Sequence, residues 1–148
     1  MANSTQYAKT VAASPSKIST TELHGRVRVA YADFTADAAQ ETINMFKLPD
    51  GARIIGGRLN HANLGTSTTV SVGHAAYTQA DGTVVALDVD EYKAAAASTS
   101  AIGSNIAATT ALGENSLVDA PDGLIITATT AGANATGLIT VQMTYVLD

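Results

Sequence analysis

The chain has 148 residues, a net charge of −5 and no cysteine, and its 46% hydrophobic share includes only two Phe, five Tyr and no Trp. That length suits one domain with one core, which must rest on Val, Ile and Leu rather than on rings. Without thiols there is no disulfide framework, thiolate metal site or cysteine nucleophile, and the acidic balance argues against sequence-independent nucleic-acid binding.

Residues 1–22 are rich in Ser, Thr and Ala, contain Pro15 and show no sustained apolar period, so they read as an extended N-terminal arm ahead of a domain at 23–148. Stretched out, such an arm reaches on the order of 70 Å. An arm that orders only on a neighbour gains affinity by covering surface.

From Gly25 the period becomes two. In RVRVAY, Val27, Val29 and Tyr31 share one face and Arg26 and Arg28 the other, which predicts a strand with the valines inward. ETINMFKLP is the next strand. RIIGGRLN follows, with Gly56-Gly57 in its middle predicting a bulge or bend. STTVSVGH alternates again, placing Thr68, Val70 and Val72 inward and Ser67, Thr69 and Ser71 outward. TVVALD makes a further strand after a Gln-Ala-Asp-Gly turn.

DVDEYKAAAA then reads as one short helix, because Asp88 or Asp90 can cap it and four alanines favour it. Beyond Ser98 the small polar residues read as a long surface loop. Two late runs, LIITATT and LITVQMTYVLD, are separated by AGANATG and read as an antiparallel hairpin. In the last run Ile139, Val141, Met143, Tyr145 and Leu147 take one side. Asp-Gly turns at positions 50, 81 and 122 each precede a strand, since Gly supplies positive φ without a Cβ clash. The fold class is therefore all-β and antiparallel, with one short helix.

Candidate chemistry is sparse. His24, His61 and His74 lack zinc-site spacing, although His61 and His74 could meet across a hairpin. Ser71, His74 and Asp81 can be written as a triad, but no Gly-x-Ser-x-Gly elbow accompanies them. Asp88, Asp90 and Glu91 invite calcium; the EF-hand pattern then fails at Lys93, where Gly is required, and at Thr99, where Glu is. No cofactor, metal or small-molecule substrate is expected, and the reading is not an enzyme. No run approaches the ~20 apolar residues of a membrane span, and the N-terminus lacks the apolar segment of a secretory signal, so a soluble chain with no membrane partner is expected.

Charge is unevenly placed. Seven of the eight basic residues lie in positions 1–60 against five acids, whereas 61–148 hold Lys93 against eight acids. Such a molecule can orient one end on an acidic partner surface.

LPDGARIIGGRLNHANLGTSTTVSVGH, residues 48–74, carries a resemblance. Leu48-Pro49, Gly51-Ala52-Arg53-Ile54, Leu64-Gly65-Thr66-Ser67-Thr68 and Val72-Gly73 resemble the recurring steps of head decoration (cement) proteins and related structural proteins of tailed bacteriophages. The resemblance implies a β-sandwich or jelly-roll-like module, made in the host bacterial cytoplasm. It implies a location on the outer capsid surface of the virion, often as a trimer, where it binds the major capsid protein and clamps capsomers together. On that reading Lys9, Lys17, Arg26 and Arg28 are the partner-binding residues facing the shell. The alternative is a glycan- or receptor-binding β module of a phage fibre or adhesin, which would need more rings than this chain offers.

Overall fold

Alternating β-branched runs punctuated by Asp-Gly turns produce strands along the whole described chain. The computed structural model describes residues 25–37 and 40–147; the arm at 1–22, with Lys9 and Lys17, and His24 lie outside them. Among the described residues the strands are β1 (Val27–Ala36), β2 (Thr42–Leu48), β3 (Arg53–His61), β4 (Thr68–His74), β5 (Tyr77–Thr78), β6 (Val84–Val85), β7 (Asp88–Ala97), β8 (Ile102–Ile106), β9 (Leu124–Gly132) and β10 (Gly137–Val146).

They form one sheet in the order β1-β10-β3-β8, a second in the order β2-β9-β4-β7, and a small β5-β6 hairpin. All pairings are antiparallel. With the hairpin set aside, eight strands remain, and the first and last are neighbours in one sheet while the second and seventh are neighbours in the other. That wrapping is a jelly roll. Strand β1 packs over β2 at one flank of the sandwich, and β7 over β8 at the opposite flank. Between the sheets lie Leu48, Ile54, Leu59, Leu64, Val70, Val72, Ile126, Ile139, Val141 and Met143, none of them exposed.

Four expectations are corrected. The stretch DVDEYKAAAA is strand β7, not a helix: Val72 pairs with Lys93, Val70 with Ala96 and Thr69 with Ala97. Edge pairing and the burial of Tyr92 in the core override alanine's helical preference. Asp88 does cap a backbone N–H, that of Asp90 at 3.0 Å, but in an extended turn at the head of the strand.

The phase of β1 is the opposite of that expected. Ala30 stands opposite Met143, Ala32 opposite Val141 and Phe34 opposite Ile139, and directly opposed residues share a face, so these point into the core. Val27, Val29 and Tyr31 face out, 64%, 55% and 60% exposed. Small alanines let β1 lie close over the bulky side chains of its neighbours, whereas valine and tyrosine there would overfill the space.

The late runs are not hairpin partners. β9 pairs with β2 and β4, and β10 with β1 and β3, because the segment between them crosses from one sheet to the other. The stretch past Ser98 is also more ordered than a loop: Ile102–Ile106 is β8, paired to β3 through Arg58 and Asn105, and a single 3-10 turn spans Thr110–Leu112.

Other expectations match the structure. The glycines of the three Asp-Gly turns have φ of 75°, 87° and 80°. β10 buries Ile139, Val141 and Met143 as expected. The β3 register slips opposite Thr144 and Tyr145, next to Gly56-Gly57. β4 buries Thr68, Val70 and Val72, although Ser71 on its other face is covered as well.

Candidate interaction surface

The site built here is a sheet face rather than a cleft. Directly opposed residues across β1, β10 and β3 form rows on the outer side of the first sheet. One row runs Val27, Val146, Arg53; the next runs Val29, Thr144, Gly56; the third runs Tyr31, Gln142, Arg58 and continues to Asn105 on β8. The bulge adds Ile55, 37% exposed, beside the first two rows. Val27, Val29 and Tyr31 therefore line the β1 margin, followed in the row by Asp33, while Ile55 and the arginines stand on β3 beyond β10.

Arg53 and Arg58, and Arg28 at the entry to β1, are each anchored on a neutral oxygen. Arg28 Nε donates to the Leu147 carbonyl at 3.4 Å, Arg53 Nη1 to the Asn115 carbonyl at 2.7 Å, and Arg58 Nε to Asn60 Oδ1 at 3.0 Å. Such bonds orient a guanidinium and leave its positive charge available to a partner. Of the residues expected to bind a partner, Arg26 and Arg28 are exposed at the entry to β1.

Behind Tyr31 the face sinks into an open groove of about 520 Å³ over Gly56 and Gly57. Gly56 has φ of +140°, which favours glycine, and its missing side chain leaves the floor bare. A Cβ on Gly57 would run into the Gln142 carbonyl and lie 2.8 Å from Ile106 Cγ1, so β3 can approach its neighbours only with glycine there. Arg58, Gln142, Asn105 and Glu114 wall the groove.

A second surface lies at the other flank, where the β5-β6 hairpin leads into β7. Val84 is 74% and Leu87 51% exposed. Asp81 precedes them in the chain and Asp88 and Asp90 follow. The Thr83 N–H donates to Asp81 Oδ1 at 2.8 Å and holds that carboxyl below its ordinary range. The Asp90 N–H likewise lowers Asp88, and in turn the hydrogen bond with Asp88 raises Asp90. Asp119 Oδ1 accepts from the Ala80 N–H at 3.1 Å, tying the hairpin to the 117–120 loop. The Tyr77 phenol is pushed up first by burial and then by the charges of Asp119 and Glu91. Burial also pushes Tyr92 up, with Glu91 adding to it.

His61 and His74 are both buried. His61 and His74 end strands in different sheets, so they do not meet across a hairpin, and their Nδ1 atoms lie 2.8 and 2.9 Å from the carbonyls of Ala62 and Ala75. The His74 ring packs edge-on against Tyr77 and Tyr92. Among the described residues no group of His, Asp and Glu is arranged to hold a metal ion, and no helix is long and apolar enough to cross a membrane.

The jelly roll is shared. A chain in the capsid of Ralstonia phage GP4 superposes with a TM-score of 0.62 at 22% identity, over 84% of this chain and 86% of that one. A chain in the cyanophage Pam1 capsid asymmetric unit gives 0.54 at 23% identity, with the same two coverages of 84% and 86%. A chain in the acidic stable capsid structure of Helicobacter pylori bacteriophage KHP30 gives 0.56 at 15% identity, over 82% and 87%. No family model matches the sequence, and no curated protein sequence matches it. At these identities the likeness is one of fold.

The exposed apolar row on β1 escaped sequence reasoning because alternation gives the period and not the phase. A signal was present: the opposite face carries Ala30, Ala32 and Ala36, small enough for close packing, around a single ring, Phe34.

Proposed function

We propose that this chain is a structural virion protein of a tailed bacteriophage, a decoration protein that sits on the outside of the capsid shell, binds the major capsid protein and staples neighbouring capsomers as a trimer. One observation carries the reading: the same sandwich recurs, nearly end to end, in chains of phage capsid structures. The 27-residue resemblance at 48–74 and a site made of a broad face rather than a reaction cleft support it. Arg26 and Arg28, with Lys9 and Lys17, are the shell-facing cations on this proposal. Many copies on a lattice raise residence far above that of one contact.

The test is co-sedimentation of the purified protein with empty shells lacking it, followed by imaging. Saturable binding with added density on the outer surface is expected. Protein that stays in the supernatant at every ratio removes the decoration role. The glycan-binding alternative would use the groove walled by Arg58, Gln142 and Asn105, and a glycan array tests it directly.

A further inference from the structure

Two exposed apolar patches on one molecule differ in the charge around them. On the outer face of the first sheet Val27, Val29 and Tyr31 line β1, with Asp33 next in the row, and Ile55, Arg53 and Arg58 stand on β3 across β10. At the β7 flank Val84 and Leu87 are exposed, and the chain brackets them with Asp81 on one side and Asp88 and Asp90 on the other. Monomeric surfaces scatter single apolar residues, but patches rimmed with polar groups mark contact sites. Each patch therefore needs a cover.

We propose that the two patches cover each other between copies of this chain: the acid-rimmed β5-β6 hairpin of one subunit docks on the arginine-rimmed β1-β10-β3 face of the next. The occupant is argued from charge. The sheet face calls for an apolar surface with an acidic rim, and the chain carries one. Pairing two sheet faces would instead bring arginines toward arginines, and pairing two hairpins would bring carboxylates together, both costly once water is excluded.

Geometry sets the symmetry. β1 and β7 lie at opposite flanks of the sandwich, so one subunit can use both patches at once. Contacts of this head-to-tail kind close into a ring or run on as a filament. The inference rests on the trimer part of the proposed function, under which the ring closes at three. It adds which surfaces meet and makes the contact heterologous.

Sedimentation velocity on the full chain tests this with Val29→Asp on the sheet face and Val84→Asp on the hairpin. Both side chains are more than half exposed, so thermal melts should show each variant folded. The wild type is expected to sediment as a closed oligomer and each variant alone as a monomer. An equimolar mixture of the two should give a dimer, because the first retains a sound hairpin and the second a sound sheet face.

A wild type that stays monomeric at all concentrations overturns the inference. So does Val84→Asp with wild-type mass, which would indicate sheet-to-sheet contact, and so does a mixture that stays monomeric. Shell binding, measured in parallel, separates the two proposals. Assembly by these rules without shell binding leaves the ring standing and removes the decoration role. A monomeric wild type whose shell binding is lost in Val29→Asp gives the sheet face to the shell and overturns the ring.

Discussion

Ser98 donates its hydroxyl to Thr68 Oγ1 at 2.8 Å, and neither residue reaches solvent. Thr68 passes the bond on to the Gly65 carbonyl at 2.9 Å, while the Ser98 carbonyl accepts from the Leu64 N–H at 2.9 Å. This chain of bonds fixes the 64–68 turn against the end of β7. Replacing Thr68 with Val keeps the shape and strands the Ser98 hydroxyl, which should cost about 1–3 kcal/mol. The double variant Thr68→Val, Ser98→Ala should cost less than the sum of the two single ones, because no orphan remains. Denaturant titration of the four proteins measures the coupling; additive costs would mean the hydroxyls act independently.

The phase of β1 gives a paired prediction. Phe34→Ala removes a ring packed on the core and should lower stability by roughly 2–3 kcal/mol. Tyr31→Ser, three residues away on the outer face, should change it by less than about 0.5 kcal/mol when both variants are made in the undocked Val84→Asp background. Equal effects in thermal melts would contradict the alternation described here.

Gly57→Ala should be among the most damaging small changes in the sheet. The added methyl meets the Gln142 backbone, which cannot move without breaking the β3 ladder with β10. A loss on the order of 3 kcal/mol or outright failure to fold is expected. Gly82→Ala makes the control: its Cβ meets nothing within 4 Å, so only the positive φ opposes it, at about 1 kcal/mol.

Asp90 supplies the pH test. Its carboxyl is raised above the ordinary 3.8, first by the hydrogen bond with Asp88 and also by the charge of Asp88. A raised group contributes stability below its unfolded value and loses it as the pH climbs through the folded value. Asp90→Asn should therefore raise the melting temperature at neutral pH, with the gain shrinking as the pH falls toward 3.8. Asp81 has the reverse sign. Lowered by the Thr83 N–H, it adds stability above 3.8 that acid removes, so Asp81→Asn should blunt acid denaturation. Melts across the acidic range distinguish the two.

Much of the fold was legible locally. Turns at positions 50, 81 and 122, the bend at Gly56-Gly57 and the inward side of β10 follow from φ preferences and from alternation within a few residues. What escaped was decided at a distance. Four alanines give no local reason to extend; β7 extends because β4 offers its edge. Which face of β1 turns inward depends on β10, more than a hundred residues later. The separation of β9 from β10 depends on both sheets being present at once. The interaction surface was hidden for the same reason, since its apolar row exists only once the phase of β1 is known, whereas the arginines were visible as a charge bias.

The marriage of the first described strand to the last has a consequence for biosynthesis. β10 is an inner strand, bonded to β1 on one side and β3 on the other, and it is made after all the other described strands. Until it leaves the ribosome, β1 and β3 have open edges and half the sandwich has no lining. Such non-local pairing is slow and exposes the nascent chain to aggregation. A message cut short before residue 137 would leave β1 and β3 without the strand that joins them, so every folded copy has been translated through β10.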